Sequence, residues 1–281
     1  MSHHLVSLLV LVAAPVSAQT LVIIGGGARP PAVVAEIVRA GAARRMVVVP
    51  AASGTPAEVG AAQAAEFVAA GFASAAVALG DPDADSTVAL VASASAVFFS
   101  GGDQNRLAAA WGGTRALAAV RGVYARGGVV AGTSAGAAVM SRVMLTGDET
   151  DGDGSFDSVE SGDVVTAEGF GFVTWAVVDQ HFAARHRQNR LISVVLDHPD
   201  LLGVGIDEAT AVVVLPAGEM RVVGDGSVQV VDARSAQRGS GAGRLYSASG
   251  MVLHVLVSGD VLTPAGDVVL TSRSAAAEPV H

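Results

Sequence analysis

Residues 127–140 read Gly-Gly-Val-Val-Ala-Gly-Thr-Ser-Ala-Gly-Ala-Ala-Val-Met, and this stretch limits the possible fold more than any other. A short apolar run suited to a buried strand breaks into Gly132-x-Ser134-x-Gly136 and resumes as alanine-rich, helix-favouring sequence. Strand, sharp turn and helix in that order lift Ser134 off the strand end. The helix behind it offers free amides and a partial positive charge to a developing anion. A serine held this way can attack a carbonyl if a base takes its proton. With 34 glycines in 281 residues the motif is weak by itself, so its neighbours have to carry the argument.

Those neighbours alternate strand and helix. Apolar strands are expected at 21–24, 46–49, 75–79 and 96–100, with helices at 32–40, from Thr55 to about Ala70, and from about Ser86. Such a succession predicts right-handed βαβ units and a parallel sheet covered on both faces. Gly25-Gly26-Gly27 follows the first strand, but Pro30 stands where a dinucleotide fingerprint needs its third glycine, so no nicotinamide cofactor is expected. Ser100-Gly101-Gly102-Asp103-Gln104 ends the fourth strand, at the sheet edge where open α/β folds bind ligands. The amide of Ala135, just after the serine, and that of Gly102 are the natural pair of oxyanion donors.

A third region follows a strand at 173–178: Asp179-Gln180-His181-Phe182, then Arg185, Arg187 and Arg190. His181 sits where a base is needed, and arginine forks suit carboxylates. A strand at 202–206 ends in Asp207-Glu208, and either carboxylate could orient the histidine. His181 and His186, five apart, share no helical face, so no zinc site is expected. The segment 146–168 reads as an acidic loop. Glu149, Asp151, Asp153, Gly154 and Glu160 fall at calcium-loop spacing, but without flanking EF-hand helices. After a strand at 211–215, residues 220–224, Asp225-Gly226 and 227–231 predict a β-hairpin, opening a β-rich tail over 216–281.

The first eighteen residues stand apart. An apolar run from Leu5 to Ala14, Pro15, and Val16-Ser17-Ala18 predict a secretory signal cleaved after Ala18, and hence an exported protein, periplasmic or extracellular. The run is too short to span a bilayer, so no membrane association is expected after its removal. The domain proper is then 19–281. A net charge of −9 without a basic patch excludes nucleic acid as a natural partner, and the lack of cysteine excludes disulfides and thiolate metal sites. Pattern leaves a homodimer open.

Together, the Gly25–27 turn, Ser100-Gly-Gly-Asp-Gln104, Gly132-Thr-Ser134-Ala-Gly-Ala137, Asp179-Gln-His181-Phe, Arg185, Arg187, Arg190-Leu191 and Gly205-Ile-Asp-Glu208 resemble the cyanophycinase branch of the S51 serine peptidases. The resemblance implies a class I glutamine amidotransferase-like fold: three layers, α/β/α, with a mostly parallel sheet. It implies Ser134 as nucleophile, His181 as base and Glu208 as orienting acid, with Gly102 and Ala135 as oxyanion hole. It places Gln104, Asp179, Gln180, Arg185, Arg187 and Arg190 around the substrate and needs no cofactor or metal. The implied substrate is cyanophycin, poly-aspartate carrying arginine on each β-carboxyl, released as β-Asp-Arg dipeptides. Cleavage of short Asp-X dipeptides, or a non-catalytic binding protein on the same fold, are the rival readings.

Overall fold

The computed structural model describes residues 19–152 and 154–271. The expected signal segment, 1–18, lies outside the described residues. The first half runs β1 (Thr20–Ile24), α1 (Pro31–Ala40), β2 (Arg45–Val49), α2 (Pro56–Ala69), β3 (Ser74–Val77), α3 (Asp85–Ala92) and β4 (Ala96–Phe99). It continues with α4 (Gln104–Trp111), α5 (Arg115–Ala125), β5 (Val129–Thr133) and a single turn, α6 (Ala135–Ala138). The second half contains β6 (Val143–Glu149), β7 (Val164–Glu168), β8 (Ala176–Gln180), α7 (Gln188–Asp197), β9 (Leu202–Ile206), β10 (Thr210–Val214), β11 (Met220–Gly224) and β12 (Val228–Asp232). Five short strands finish it: β13 (Gln237–Ser240), β14 (Tyr246–Ser249), β15 (Val252–Leu256), β16 (Val261–Leu262) and β17 (Val268–Val269).

A nine-stranded sheet runs in the order β17-β16-β11-β10-β1-β5-β4-β2-β3. From β1 to β3 it is parallel, the βαβ half that the alternation predicted. From β1 to β17 it is antiparallel. Strand β1 shows why the run is continuously apolar: Leu21 and Ile23 face one core, Val22 and Ile24 the other. Residues Ile37 of α1 and Phe67 of α2 cover the second face. Helices α3 to α6 cover the first, together with a second sheet, β15-β12-β9-β8. Helix α7 packs on the outside of that second sheet through Leu191, Val194 and Val195. Each fully buried Val, Leu, Ile or Phe contributes about 1.5–3 kcal/mol, so this double core is the main source of stability. Among the described residues no helix is long and apolar enough to cross a membrane.

Three expectations need correction. The segment 146–168 is not one loop, because β6 and β7 pair as an antiparallel ribbon that carries the acidic excursion. Arg244 fills the acidic cluster, reaching Asp151 at 2.9 Å, Glu160 at 3.4 Å and Asp163 at 3.0 Å. Glu149 accepts the Gly154 amide at 2.9 Å. Two of the calcium-spaced residues, Asp151 and Glu160, thus pair with a guanidinium, and Asp153 lies outside the described residues. The hairpin at 220–231 does not form either. Strand β11 joins the nine-stranded sheet and β12 the other, so the turn signal marks a crossing between sheets. Nor is the whole tail an appendage: β11, β16 and β17 join the nine-stranded sheet and β12 and β15 the other, while β13 and β14 form a hairpin of their own.

Two of the chain's crossings between the sheets lie side by side: from β9 to β10, and back from β11 to β12. Thr210, fully buried, stitches the two crossings. Its hydroxyl donates to the Glu208 carbonyl at 3.0 Å and accepts the Gly226 amide at 2.8 Å. Thr210→Val, which keeps the shape and removes both bonds, is expected to lower unfolding free energy by about 1–3 kcal/mol in chemical denaturation, whereas Thr210→Ser retains most of it.

Candidate active site

The parallel strands β1, β4 and β5 end together, and β8 and β9 end beside them. The His181 amide donates to the Gly25 carbonyl at 2.7 Å, and the Ser134 amide to the Ile24 carbonyl at 3.1 Å. Both residues therefore hang from the end of β1. Both have positive φ, 54° for Ser134 and 50° for His181, a conformation that non-glycine residues adopt only when their surroundings enforce it.

The enforcement at Ser134 comes from tight packing below it. A Cβ on Gly132 would lie 2.2 Å from the Gly136 carbonyl, and one on Gly136 would lie 2.2 Å from that of Phe99. Only glycine at both places lets α6 sit against β5 and β4. On the histidine side, Gly26 has φ +117°, and a Cβ there would come within 2.3 Å of the imidazole. The ring thus packs face-on against bare backbone.

Ser134 Oγ stands 2.9 Å from His181 Nε2, and His181 Nδ1 stands 2.5 Å from Glu208 Oε1. The three side chains form one hydrogen-bonded chain. Of the two carboxylates that the sequence left open, Glu208 meets the histidine. Asp207 instead accepts the Ala184 amide at 3.0 Å and holds the turn after His181. The imidazole is buried, which pushes its pKa below 6.5; Arg185 and Arg187 push the same way and Glu208 opposes them. The ring is therefore neutral at pH 7, its Nδ1–H given to Glu208 and its Nε2 free to accept a proton.

The Gly101–Gly102 loop lies against Ser134: a Cβ on Gly101 would stand 3.3 Å from Ser134 Cβ. Among the described residues, the amides of Gly102 and Ala135 donate to no protein acceptor.

The remaining expected site residues separate into two groups. Arg185 and Arg187 line a small cavity of about 170 Å³ with His186, Gly147 and the 154–156 segment. Arg187 donates to the Gln180 carbonyl at 2.5 Å, and burial holds its pKa down to about 10, still cationic at neutral pH. Gln180 is buried, and its Oε1 has no partner among the described residues. Gln104, at the start of α4, spends its amide nitrogen on the carbonyls of Leu145 and Thr146.

Asp179 departs from expectation. Asp179 is fully buried and forms a two-pronged ion pair with Arg190, whose guanidinium also lies 5.5 Å from the Phe156 ring. Asp179 is thus sealed behind the cavity wall and does not line it, whereas Arg190 does line it, with Asp179 as its partner. Residues eleven apart pair here because β8 and α7 fold back on each other, a contact that local spacing does not announce.

Two outcomes test this site. In an NMR titration the His181 ring should protonate with a midpoint below 6.5. Arg185→Gln, which removes a repelling charge, should raise the midpoint, and Glu208→Gln should lower it. Asp179→Ala strands a buried guanidinium and should cost about 3–5 kcal/mol in denaturation, much of it recovered when Arg190→Met is added.

Residues 17–219 match the model of peptidase family S51. A protein named cyanophycinase from Trichormus variabilis is 41% identical over 172 residues, 59% of this chain and 56% of that one. Another of that name, from Synechococcus elongatus, is 37% identical over 185 residues, 64% and 56% of the two chains. The match thus spans little more than half the length of these curated relatives. The crystal structure of a peptidase from an acI-B1 Actinobacterium superposes with a TM-score of 0.64 at 22% identity, covering 88% of this chain and 98% of that one. This last likeness concerns the fold, the class I glutamine amidotransferase-like arrangement expected from the motifs. The length of the family match, together with the ordered motifs at the strand ends, gives the conclusion: the chain belongs to peptidase family S51.

Proposed function

We propose that the protein is an exported serine exopeptidase that hydrolyses cyanophycin to β-Asp-Arg dipeptides through an acyl-enzyme on Ser134. The observation that carries this reading is the hydrogen-bonded chain from Ser134 through a neutral His181 to Glu208, standing beside two arginines with charge to spare. His181 Nε2 takes the hydroxyl proton as Ser134 Oγ bonds to the scissile carbonyl carbon. The amides of Gly102 and Ala135 receive the oxyanion, and Glu208 steadies the imidazolium. Collapse breaks the C–N bond, and the leaving amine takes the proton from Nε2. A water, deprotonated by the same nitrogen, then attacks the acyl carbon and frees Ser134.

The substrate class follows from charge. Arg185 and Arg187 suit the free carboxylates that such a polymer keeps at its chain end and on its attached arginines. The unpartnered Oε1 of Gln180 offers an acceptor to a substrate N–H, and leaving it unmatched is costly. The name shared by the curated relatives points to the same polymer. Export rests on the signal-like residues 1–18.

Incubating the purified protein with cyanophycin should release β-Asp-Arg dipeptides, read by mass spectrometry, with far slower cleavage of free Asp-X dipeptides. Ser134→Ala should lose at least about a thousandfold in kcat. Undiminished hydrolysis by Ser134→Ala would overturn the mechanism. Preference for Asp-X dipeptides would replace the substrate and leave the mechanism standing.

A further inference from the structure

Ser100 takes no part in the chain from Ser134 to Glu208, yet it is fully buried and bonded to another buried polar side chain. Its hydroxyl donates to Oε1 of Gln63 at 2.5 Å. Gln63 lies on the buried face of α2 with Gly60 and Phe67. Any apolar residue would serve packing there. A buried carboxamide costs about 1–3 kcal/mol unless its hydrogen bonds are made, so its presence calls for a reason.

The position of the bond supplies one. Ser100 immediately precedes Gly101 and Gly102, and its own amide donates to Val49 at 3.0 Å. On the far side, the Asp103 amide donates to the Ala52 carbonyl at 2.9 Å, and the Asp103 carboxylate caps α4 through the amides of Asn105 and Arg106. The loop is fastened at both ends, and between the fastenings the Gly101 and Gly102 amides have no acceptor among the described residues. Two glycines in a row have soft dihedrals and cannot hold a direction by themselves. An oxyanion donor has to be held within about 2.7–3.1 Å of its target, and a slip of about 1 Å can cost a hundredfold. Phe98 and Phe99 face opposite cores, and Ser100 continues that alternation toward the layer of α2. Gln63 thus reaches the loop from the face of the sheet opposite α6.

We infer that Gln63 and Ser100 are a positioning pair that aims the Gly102 amide at the oxyanion. This rests on the acyl-transfer reading above. The pair touches no substrate and acts through the loop.

The test is steady-state kinetics on Gln63→Met, Ser100→Ala and the double variant, with thermal unfolding to verify that each is folded at the assay temperature. Each single variant should lose about ten- to a hundredfold in kcat, with KM within twofold and the acid limb set by His181 unmoved. The double variant should be no slower than the worse single, because both break one bond. A kcat within twofold of the parent overturns the inference. So do losses that multiply in the double variant, or that come with a matching rise in KM or a shifted acid limb. If one variant is unfolded, the other single decides by the same criteria. Ser134→Ala, run alongside, separates the two readings: if it cleaves like the parent the acyl-enzyme mechanism on Ser134 falls, whereas if it is dead and the paired variants are unimpaired only the positioning role falls.

Discussion

The hydrogen bond from the His181 amide to the Gly25 carbonyl, 2.7 Å long, ties the end of the second sheet to the end of the first. The geometry at the site is inherited from that junction. Ser134 comes from β5, His181 from β8 and Glu208 from the crossing between β9 and β10, three segments far apart in sequence. A hydroxyl, an imidazole and a carboxylate at hydrogen-bond spacing require the relative position of two sheets to be held to a few tenths of an ångström. Side-chain packing holds the sheets face to face in the shared core. The backbone bond to Gly25 and the stitch through Thr210 fix how their ends meet, while the bond to Ile24 seats Ser134 within the first sheet. The strained φ values at Ser134 and His181 are offset by those same bonds.

Much of this was legible in the chain itself. Gly132 and Gly136 bracket Ser134 because helix and strand touch there, and that contact shows in sequence as a strand, a glycine turn and alanines. The parallel half of the sheet was readable because strands buried on both faces are continuously apolar. Helices α4 and α5 were not anticipated, since their amphipathic stripes are broken by glycine and exposed arginine. Strands β6 and β7 were hidden because acidic, glycine and threonine residues dominate a ribbon with one wet face. Asp225-Gly226 is a sound turn signal, but a turn does not say whether its two strands pair with each other or with different sheets. Gln63 and the Asp179–Arg190 pair were invisible for one reason: each depends on a contact between elements, and no residue spacing encodes it.

The charges around the site explain how a chain of net charge −9 offers a cationic cavity. Asp151, Glu160 and Asp163 of the excursion between β6 and β7 are gathered onto Arg244, and Arg190 is paired with Asp179. Phe156, under the Arg190 guanidinium, and the carbonyls of Phe156 and Asp157, held by Asn189, close one side of the cavity. Arg185 is exposed and Arg187 half-buried, and they stand at the opening with positive charge that no neighbouring carboxylate fully cancels. Beyond about 8–10 Å the rest of the chain's negative charge is screened by salt, so a carboxylate at the mouth meets the two arginines first.

The same two arginines also act on the base. Burial is the largest influence on the His181 ring and favours its neutral form; Arg185 and Arg187 add to it, and the hydrogen bond to Glu208 opposes them. A fold that recruited carboxylates with acidic neighbours removed would need cations near the histidine anyway, and those cations keep Nε2 unprotonated and able to accept the Ser134 proton. Were Glu208 the stronger influence, the ring would ionise near neutral pH and Ser134 would face an imidazolium with no lone pair to offer. Because the carboxylate is partly open to water while the imidazole is buried, desolvation prevails, and under the proposed function one arrangement of charge would serve both substrate capture and proton acceptance.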